Sequence, residues 1–360
     1  MDTLIRRGGP YASRVAAVGG LPNRTVDVPI TSVFLVLFII GAASHMTILQ
    51  LNLRRSHKFL ASGGMFGFCF SRVITCTLRL AWATHPTNIS LAIAATIFVN
   101  AGVIVIIIIN LIFAQRILRA SHPKIGWHRS IHYGFLAYLA SIIILLVMLI
   151  TSIVQQSYTL STNTRRIDHD LALTGSIYFT VAAFLPLPVV TLSILTRHVG
   201  RLATLKEPTE KFGTGRFRTK LVIILIASAL ICLGASFRCA TSWLVRPRSH
   251  PAWYNSKACF YCFNFTIEII VIYTYALIRI DRRFYIPNGA RGAGSYAANT
   301  KGTDLTKKAS NMRVETEDEF MEDFALPESR EQDLEAAGEK RQNAVDAGVV
   351  PIAARTAADG

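Results

Sequence analysis

The sequence predicts an all-α integral membrane bundle of seven transmembrane helices, with the N-terminus outside the cytoplasm and the C-terminus inside it. Only 17% of the 360 residues are charged and 51% are hydrophobic, whereas about a quarter of the residues in soluble domains are charged. The apolar residues form blocks of about twenty, which is long enough to cross a bilayer core as helices. Lysines and arginines lie mainly at the ends of these blocks, as in membrane proteins whose orientation is fixed by charge.

The predicted segments are apolar runs long enough to cross about 30 Å of hydrocarbon at about 1.5 Å per residue. Arg72 and Arg79 interrupt the second segment and Arg238 interrupts the sixth, so the second and sixth segments are the weakest candidates for transmembrane helices. The seven segments are residues 30–51, 60–83, 91–113, 131–153, 173–195, 221–244 and 258–278.

Three regions follow from these segments. Residues 1–29 are predicted as a short extracytoplasmic N-terminal segment, residues 30–284 as the seven-helix transmembrane domain, and residues 285–360 as a disordered cytoplasmic tail. The N-terminal segment lacks the apolar core of a signal peptide, so the first helix is expected to act as the insertion signal. After Phe284 the chain has too few large apolar residues to offset the entropy of ordering.

The basic residues of the connections set the predicted orientation. The loops after the first, third and fifth segments carry more Lys and Arg than the connections on the other side, so they are predicted to be cytoplasmic. The sequons at Asn23 and Asn88 both fall on the outer side, where glycosylation would take place. Cys239 and Cys259 are also predicted near the outer surface, either as a disulfide joining the last two helices or as free thiols.

The net charge of +16 does not indicate a nucleic-acid-binding protein, because the bases lie at the ends of apolar segments. The expected partners are the lipid bilayer and anionic lipids at the cytoplasmic loops, chiefly the basic loop 197–220, which a cytoplasmic effector could also contact. The glycine-rich run 212–216 has no strand before it and no Gly-Lys-Ser/Thr after it, so it is interpreted as a flexible basic loop rather than a phosphate loop. The predicted location is the plasma membrane or an endomembrane.

The most informative residues are charges at membrane depth. An arginine at a helix centre costs roughly 2.5–3.5 kcal/mol on insertion scales, so Arg72 and Arg79 need partners, and Glu268 is the one acid within the predicted segments. Counted from the predicted starts of the second and seventh helices, Arg72 and Glu268 both lie about 15–18 Å deep. The sequence therefore predicts an ion pair between them near the midplane, with Arg79 in the outer half of the bundle.

Two interpretations of the arginines stay open. They stabilise the bundle by pairing or by snorkelling, or they form a cationic pocket that opens outward to an anionic or polar ligand. Asn100, Asn264 and His45 are further candidates for a ligand-binding or interior polar network. The polar residues provide neither a catalytic constellation nor metal-ligand spacing, so we expect no enzyme activity, no cofactor and no metal.

Five runs of sequence resemble a known family. They are FSRVITCTLRLAWA at 70–83, NLIFAQRILRA at 110–120, KFGTGRFRTK at 211–220, CFYCFNFTIE at 259–268 and RIDRRFYIPNG at 279–289. Over about residues 26–289 the chain resembles a fungal family of multi-spanning membrane proteins of unknown function, some members of which are labelled family C-like G-protein-coupled receptors. That label implies seven helices and a G-protein partner.

The expected function is that of a receptor-like or sensor protein with a polar pocket at membrane depth, a small-molecule or lipid ligand, and a G protein or other cytoplasmic effector. The alternative is a lipid or amphiphile transporter. His45, followed by paired arginines after the first helix, resembles the fungal lipid-translocating exporter-like proteins. Transporters frequently contain internal repeats, and none is evident in this sequence.

Overall fold

Long helices make up most of the described chain. The computed structural model describes residues 9–13, 15–198, 209–287, 289–290, 292–298 and 314–315. The chain divides into two units, Met1–Val314 and Glu315–Gly360, and the helices described below belong to the first. The α-helices are α1 (Asp27–Arg54), α2 (Leu60–Thr84), α3 (Ile89–Ser121), α4 (Pro123–Gly126), α5 (Arg129–Tyr158), α6 (Thr162–Phe184), α7 (Pro186–His198), α8 (Phe217–Trp243), α9 (Lys257–Phe260), α10 (Ile267–Leu277), α11 (Ile280–Arg283) and α12 (Ser295–Ala298).

Short elements complete the described fold. A 3-10 turn covers Trp253–Asn255, and a π-helical turn covers Tyr261–Thr266 between α9 and α10. We refer to the continuous stretch Lys257–Leu277 as the last spanning helix. Two strands of two residues each, β1 (Thr209–Glu210) and β2 (Val314–Glu315), are the strands among the described residues.

Six helices of the described chain are long and apolar enough to cross a membrane, which supports an integral membrane protein. They are Asp27–Arg54, Ile89–Ser121, Arg129–Tyr158, Thr162–Leu195, Phe217–Trp243 and Lys257–Leu277. Large apolar side chains on these helices face outward, for example Ile144 and Val147 of α5, which are 68% and 58% exposed. Such apolar surface is unfavourable in water and favourable in hydrocarbon.

The remaining long helix, α2, carries Arg72 and Arg79 and is not among these six spans. It is 25 residues long, which corresponds to about 38 Å at 1.5 Å per residue. It packs mainly between α1 and α3. The seventh crossing and the orientation of the termini remain predictions.

The fifth predicted segment, residues 173–195, lies within the span Thr162–Leu195, which a turn at Leu185 divides into two helices. The first of them, α6, begins earlier than predicted because Ser161 caps it by accepting a hydrogen bond from the backbone N–H of Thr164. It ends at Phe184, and α7 begins at Pro186, which lacks the N–H that a continuous helix requires.

An aromatic cluster on α1, α2 and the last spanning helix forms the core around the interior charges. The Phe38 ring packs edge-on against Phe68 and Phe265, with centroid separations of 6.4 and 5.9 Å. All three side chains are fully buried, and such ring pairs add about 0.5–1.5 kcal/mol beyond their burial. The cluster therefore fixes the three helices that carry the site described below.

The glycine-rich run 212–216 forms a tight turn in the loop before α8. Phe212 is 2% exposed, and Gly213 has a φ of +59°, a conformation that glycine adopts without steric cost. The backbone N–H of Thr214 donates to the carbonyl of Arg282 at 3.0 Å. The turn is thus attached to α11, at the end of the last spanning helix.

Gly213→Ala is expected to destabilise the protein by about 2–3 kcal/mol, measured by thermal unfolding in detergent. A Cβ at Gly213 would lie 2.1 Å from the carbonyl oxygen of Arg283, so the backbone must shift. Gly289→Ala is the matched control, because Gly289 also has a positive φ but has no atom within 4 Å of the added Cβ. Equal melting temperatures for the two variants would contradict the clash.

The first described residues of the predicted tail pack against the helical unit. Tyr296 in α12 is 2% exposed, and its ring lies 5.4 Å from that of Trp127 and 5.7 Å from that of Phe212. The Glu210 carboxylate accepts hydrogen bonds from the backbone N–H groups of Gly294 and Tyr296. Burial raises the pKa of the Tyr296 hydroxyl. The rest of the predicted tail lies outside the described residues, apart from 314–315.

The described N-terminal residues cover one end of the bundle. The backbone N–H of Ala16 donates to the carbonyl of Arg246, and that of Gly19 donates to the carbonyl of Asn255, each at 2.9 Å. Val15 also forms an antiparallel bridge with Pro247. These contacts hold the segment before α1 against the connection between α8 and the last spanning helix.

Candidate functional site

Arg72 and Glu268 form a buried bidentate ion pair. Nε of Arg72 lies 2.6 Å from Oε2 of Glu268, and Nη2 lies 2.5 Å from Oε1. The two side chains are 0% and 2% exposed. Two parallel N–H···O bonds between a guanidinium and a carboxylate are among the strongest hydrogen-bonded arrangements in proteins. The pair predicted between the second and last helices is confirmed.

The third guanidinium nitrogen of Arg72 contacts α3. Nη1 donates to the backbone carbonyls of Phe98 and Val99, each at 3.0 Å. Gly102 provides the space, since a Cβ there would lie 3.1 Å from Nη1. The guanidinium carbon also lies 5.2 Å from the centroid of the Phe68 ring, which is within cation–π range. Arg72 therefore joins α2, α3 and the last spanning helix.

Arg238 of α8 brings a second cation to the same carboxylate. Its Nη1 lies 3.7 Å from Oε1 of Glu268 and donates to Oδ1 of Asn264 at 3.1 Å. The Arg238 side chain is 15% exposed. Glu268 thus faces two guanidinium groups, and this cluster carries one surplus positive charge. The sequence signal for Arg238 was its position inside an apolar segment, the same signal that identified Arg72.

The π-helical turn ends two residues before Glu268 and carries two polar residues of the site, Tyr261 and Asn264. Thr266 donates from its hydroxyl to the carbonyl of Tyr261 at 3.2 Å within this turn. Turns of this kind are rare and occur frequently at functional sites. A π turn changes which residues of a helix share a face, and no hydrophobic period in the sequence indicates it.

Arg79 belongs to a second buried cluster, centred on Asp27. Nη2 of Arg79 lies 2.8 Å from Oδ1 of Asp27, and the Tyr261 hydroxyl donates to the same oxygen at 2.8 Å. The other carboxylate oxygen, Oδ2, contacts Nζ of Lys257 and accepts a hydrogen bond from the backbone N–H of Asn23 at 2.9 Å. This cluster also contains two cations for one anion.

The predicted first segment starts at residue 30 and leaves Asp27 outside it. In the structure α1 begins at Asp27, and the Asn23 side chain accepts hydrogen bonds from the N–H groups of Val26 and Asp27. An acid in the first turn of a helix is stabilised by the helix dipole. An Asp just before an apolar run is therefore the signal that could have identified the partner of Arg79.

The two clusters meet at Phe260. Its ring lies beneath the Arg79 guanidinium, with 4.0 Å between the guanidinium carbon and the ring centroid. Its carbonyl accepts a hydrogen bond from Nδ2 of Asn264 at 3.0 Å, and Asn264 in turn contacts Arg238. A continuous series of contacts therefore runs from Asp27 to Glu268.

Of the other predicted network residues, His45 is buried and Asn100 is not. Nε2 of His45 lies 3.2 Å from the carbonyl of Ile272, so the imidazole joins α1 to α10. Nδ2 of Asn100 donates to the carbonyl of Thr96 in its own helix at 3.0 Å. Contrary to the prediction, Asn100 stays outside the network, because it lies about 200° around the helix axis from Gly102, the residue that faces Arg72.

Of the two alternatives left open for Cys239 and Cys259, the structure shows free thiols. Sγ of Cys239 lies 3.8 Å from the hydroxyl of Ser176 on α6, and Sγ of Cys259 lies 3.9 Å from the carbonyl of Trp253. The neighbouring Arg238 extends from α8 to Asn264 of the last spanning helix.

Asn23 and Asn88, the predicted glycosylation sites, are both exposed. Each also uses its side-chain Oδ1 near a helix start, Asn23 at α1 and Asn88 by accepting from Leu91 N–H at 3.3 Å in α3. Glycosylation of either residue stays a prediction.

A separate ion pair lies near the end of the last spanning helix opposite the Asp27 cluster. Nε and Nη2 of Arg279 donate to the two carboxylate oxygens of Asp281 at 3.0 and 2.9 Å, and Nδ2 of Asn52 donates to Oδ2 at 3.0 Å. Burial alone would raise the pKa of Asp281, but these hydrogen bonds outweigh it and hold the pKa below its ordinary value. The pair joins α1 to α11.

A cavity of about 570 Å³ lies beneath the N-terminal segment. Its walls also come from the end of α2, the first turns of α3, the end of α5 and the connection before α9. Arg72, Glu268 and Arg238 do not line this cavity, which lies at the end of the bundle. Lys257 lines the cavity and also contacts Asp27. Among the described residues, no group of three or more His, Cys, Asp or Glu is arranged to hold a metal ion.

Residues 194–285 match the family described as a protein of unknown function (DUF3112). The matched part contains Arg238, Lys257 and Glu268, whereas Asp27 and Arg72 lie outside it. No curated protein and no solved structure matches the chain. Together with its apolar helices, this similarity fits a multi-spanning membrane protein of unknown function.

Proposed function

We propose that the chain is a receptor-like or sensor protein with seven membrane-spanning helices, α2 included, an outer N-terminus and a cytoplasmic C-terminus. In this proposal it is non-enzymatic and belongs to the fungal G-protein-coupled-receptor-like proteins that the sequence resembles. A small-molecule or lipid ligand binds in the cavity, and a G protein or other effector binds the cytoplasmic loops, which also contact anionic lipids. The protein resides in the plasma membrane or an endomembrane.

The observation that carries this proposal is the series of contacts between the cavity and the interior pair. Lys257 contacts Asp27, which contacts Arg79 and Tyr261. From there the series continues through Phe260 and Asn264 to Arg238, which lies 3.7 Å from Glu268. A ligand that moves Lys257 would alter the packing of the helix that also carries Glu268, and a packed interface of this kind switches between discrete arrangements.

A transporter of a lipid or amphiphile is the second candidate. The two buried clusters each carry surplus positive charge and both contact the last spanning helix, as the walls of a path for an anionic lipid would. The internally paired state of Arg72, whose three nitrogens all donate to protein acceptors, favours the receptor, because a carried anion would need a free donor there.

The two functions differ in what a bound ligand causes. The full chain in nanodiscs is expected to bind a labelled G-protein α subunit more tightly when an amphiphile that occupies the cavity is present. Empty nanodiscs of the same lipid control for adsorption of the α subunit. Movement of the same amphiphile across reconstituted vesicles, with no binding of the α subunit, would contradict the receptor and support the transporter.

A further inference from the structure

The cavity beneath the N-terminal segment is cationic, and the described residues that line it include no acid. Lys257 and Arg248 both line it. In the adjoining cluster, Asp27 carries one negative charge, and the buried Arg79 pairs with it at 2.8 Å. The charge of Lys257 is therefore in excess, and its side chain is 27% exposed whereas that of Asp27 is 1% exposed.

Asp27 does not depend on Lys257 alone. Its carboxylate also accepts hydrogen bonds from Arg79, the Tyr261 hydroxyl and the backbone N–H of Asn23. Lys257 can thus turn toward an anion in the cavity while Asp27 stays paired and hydrogen-bonded.

The rest of the cavity wall is mainly apolar. Ile89 and Ile93 of α3, Ile153 of α5 and Leu21 of the N-terminal segment contribute to it. Apolar walls with a few convergent polar groups are typical of small-molecule sites, and the volume of about 570 Å³ falls within the range of about 300–1,000 Å³ for such sites. The wall thus suits a ligand with both an apolar body and an anionic group.

We propose that this cavity binds a single-chain amphiphile with an anionic headgroup, either a carboxylate or a phosphate monoester. The headgroup contacts Lys257 and Arg248, and the chain packs against the isoleucines of α3 and α5. The consequence of binding, in which the headgroup draws Lys257 away from Asp27 and so alters the helix packing, rests on the proposed function. The binding itself is independent of that function.

The test measures equilibrium binding of radiolabelled oleate and oleoyl lysophosphatidate to the full chain in phosphatidylcholine nanodiscs, with empty nanodiscs subtracted. Oleyl alcohol tests the apolar chain alone, and inorganic phosphate tests the headgroup alone. We expect at least one of the two anionic amphiphiles to bind, with oleyl alcohol and phosphate at least tenfold weaker. Affinity is expected to fall with added salt, because the contact is electrostatic. The stronger of the two anionic probes identifies the headgroup.

Lys257→Gln is expected to weaken binding of the anionic amphiphile about tenfold and to leave that of oleyl alcohol unchanged. Arg246→Gln is the matched control, because it removes a positive charge from the same connection but does not line the cavity, and it should leave both affinities unchanged. Lys257→Arg keeps the charge and should retain most of the affinity. If Lys257→Gln fails to fold, the salt dependence and the oleyl alcohol comparison on the wild-type chain decide the question.

Equal binding of oleyl alcohol and oleate to the wild-type chain, or undiminished oleate binding by folded Lys257→Gln, would overturn the anionic site. If anionic amphiphiles bind as expected but never promote binding of the G-protein α subunit, the site stands and the receptor proposal fails. If a neutral amphiphile promotes that binding instead, the receptor stands and the anionic site fails.

Discussion

Glu268→Gln is expected to lower the stability of the folded protein by about 3–5 kcal/mol, the range for breaking a buried ion pair by removing one partner. Glu268 is the acid that faces both Arg72 and Arg238, so its neutralisation leaves two guanidinium groups uncompensated. Gln keeps the size of the side chain and one acceptor oxygen, which isolates the loss of charge. The measurement is the thermal unfolding temperature and the yield of monodisperse protein in detergent.

Asp170→Asn is the matched control, since Asp170 is exposed on α6 and the same change there should be nearly neutral. The double variant Arg72→Gln with Glu268→Gln removes one cation together with the anion. Its loss of stability should be smaller than the sum of the losses in the two single variants, which is the signature of direct coupling. A melting temperature for Glu268→Gln equal to that of Asp170→Asn would contradict the role of the pair.

The Arg72–Glu268 pair could be predicted from the sequence because few charges lie within the apolar segments and the rise of a helix is constant. Two opposite charges at equal depth leave little choice of partner, and each is too costly to leave alone. The same reasoning identified the helical segments, since a bilayer imposes a length that a sequence reveals directly.

The rest of the site depends on features without such a signal. The true start of α1 three residues before the predicted segment places Asp27 inside the bundle, and so decides the partner of Arg79. The π turn at Tyr261–Thr266 sets the direction of the Asn264 side chain. The apolar pattern of the sequence does not indicate this turn. Asn100 lies at membrane depth like the network residues, but depth does not say which face of a helix a residue occupies. The cavity is formed by segments that are far apart in the sequence, so no local sequence pattern predicts it.

Asp27→Asn is expected to lower the stability by about 3 kcal/mol, near the lower end of the range for a broken buried pair. Arg79, which is 4% exposed, loses its counter-charge and keeps the carbonyl of Gly19, the Tyr261 hydroxyl and the Phe260 ring. Lys257 is partly exposed, so the loss of its counter-charge costs less free energy than the same loss at Arg79. The measurement is again thermal unfolding in detergent, with Asp27→Glu, which keeps the charge on a longer side chain, expected to be intermediate.

The same variant separates the two roles of Lys257 in the proposed site. Asn at position 27 no longer competes as an anion for the Lys257 ammonium, so the folded fraction of Asp27→Asn should bind an anionic amphiphile more tightly than the wild-type chain, whereas Lys257→Gln binds it more weakly. Opposite changes from the two halves of one ion pair are expected only if the ligand exchanges with the Asp27 carboxylate at Lys257. Weaker binding in both variants, at matched folded fractions, would show that the pair serves the architecture of the bundle and not the cavity.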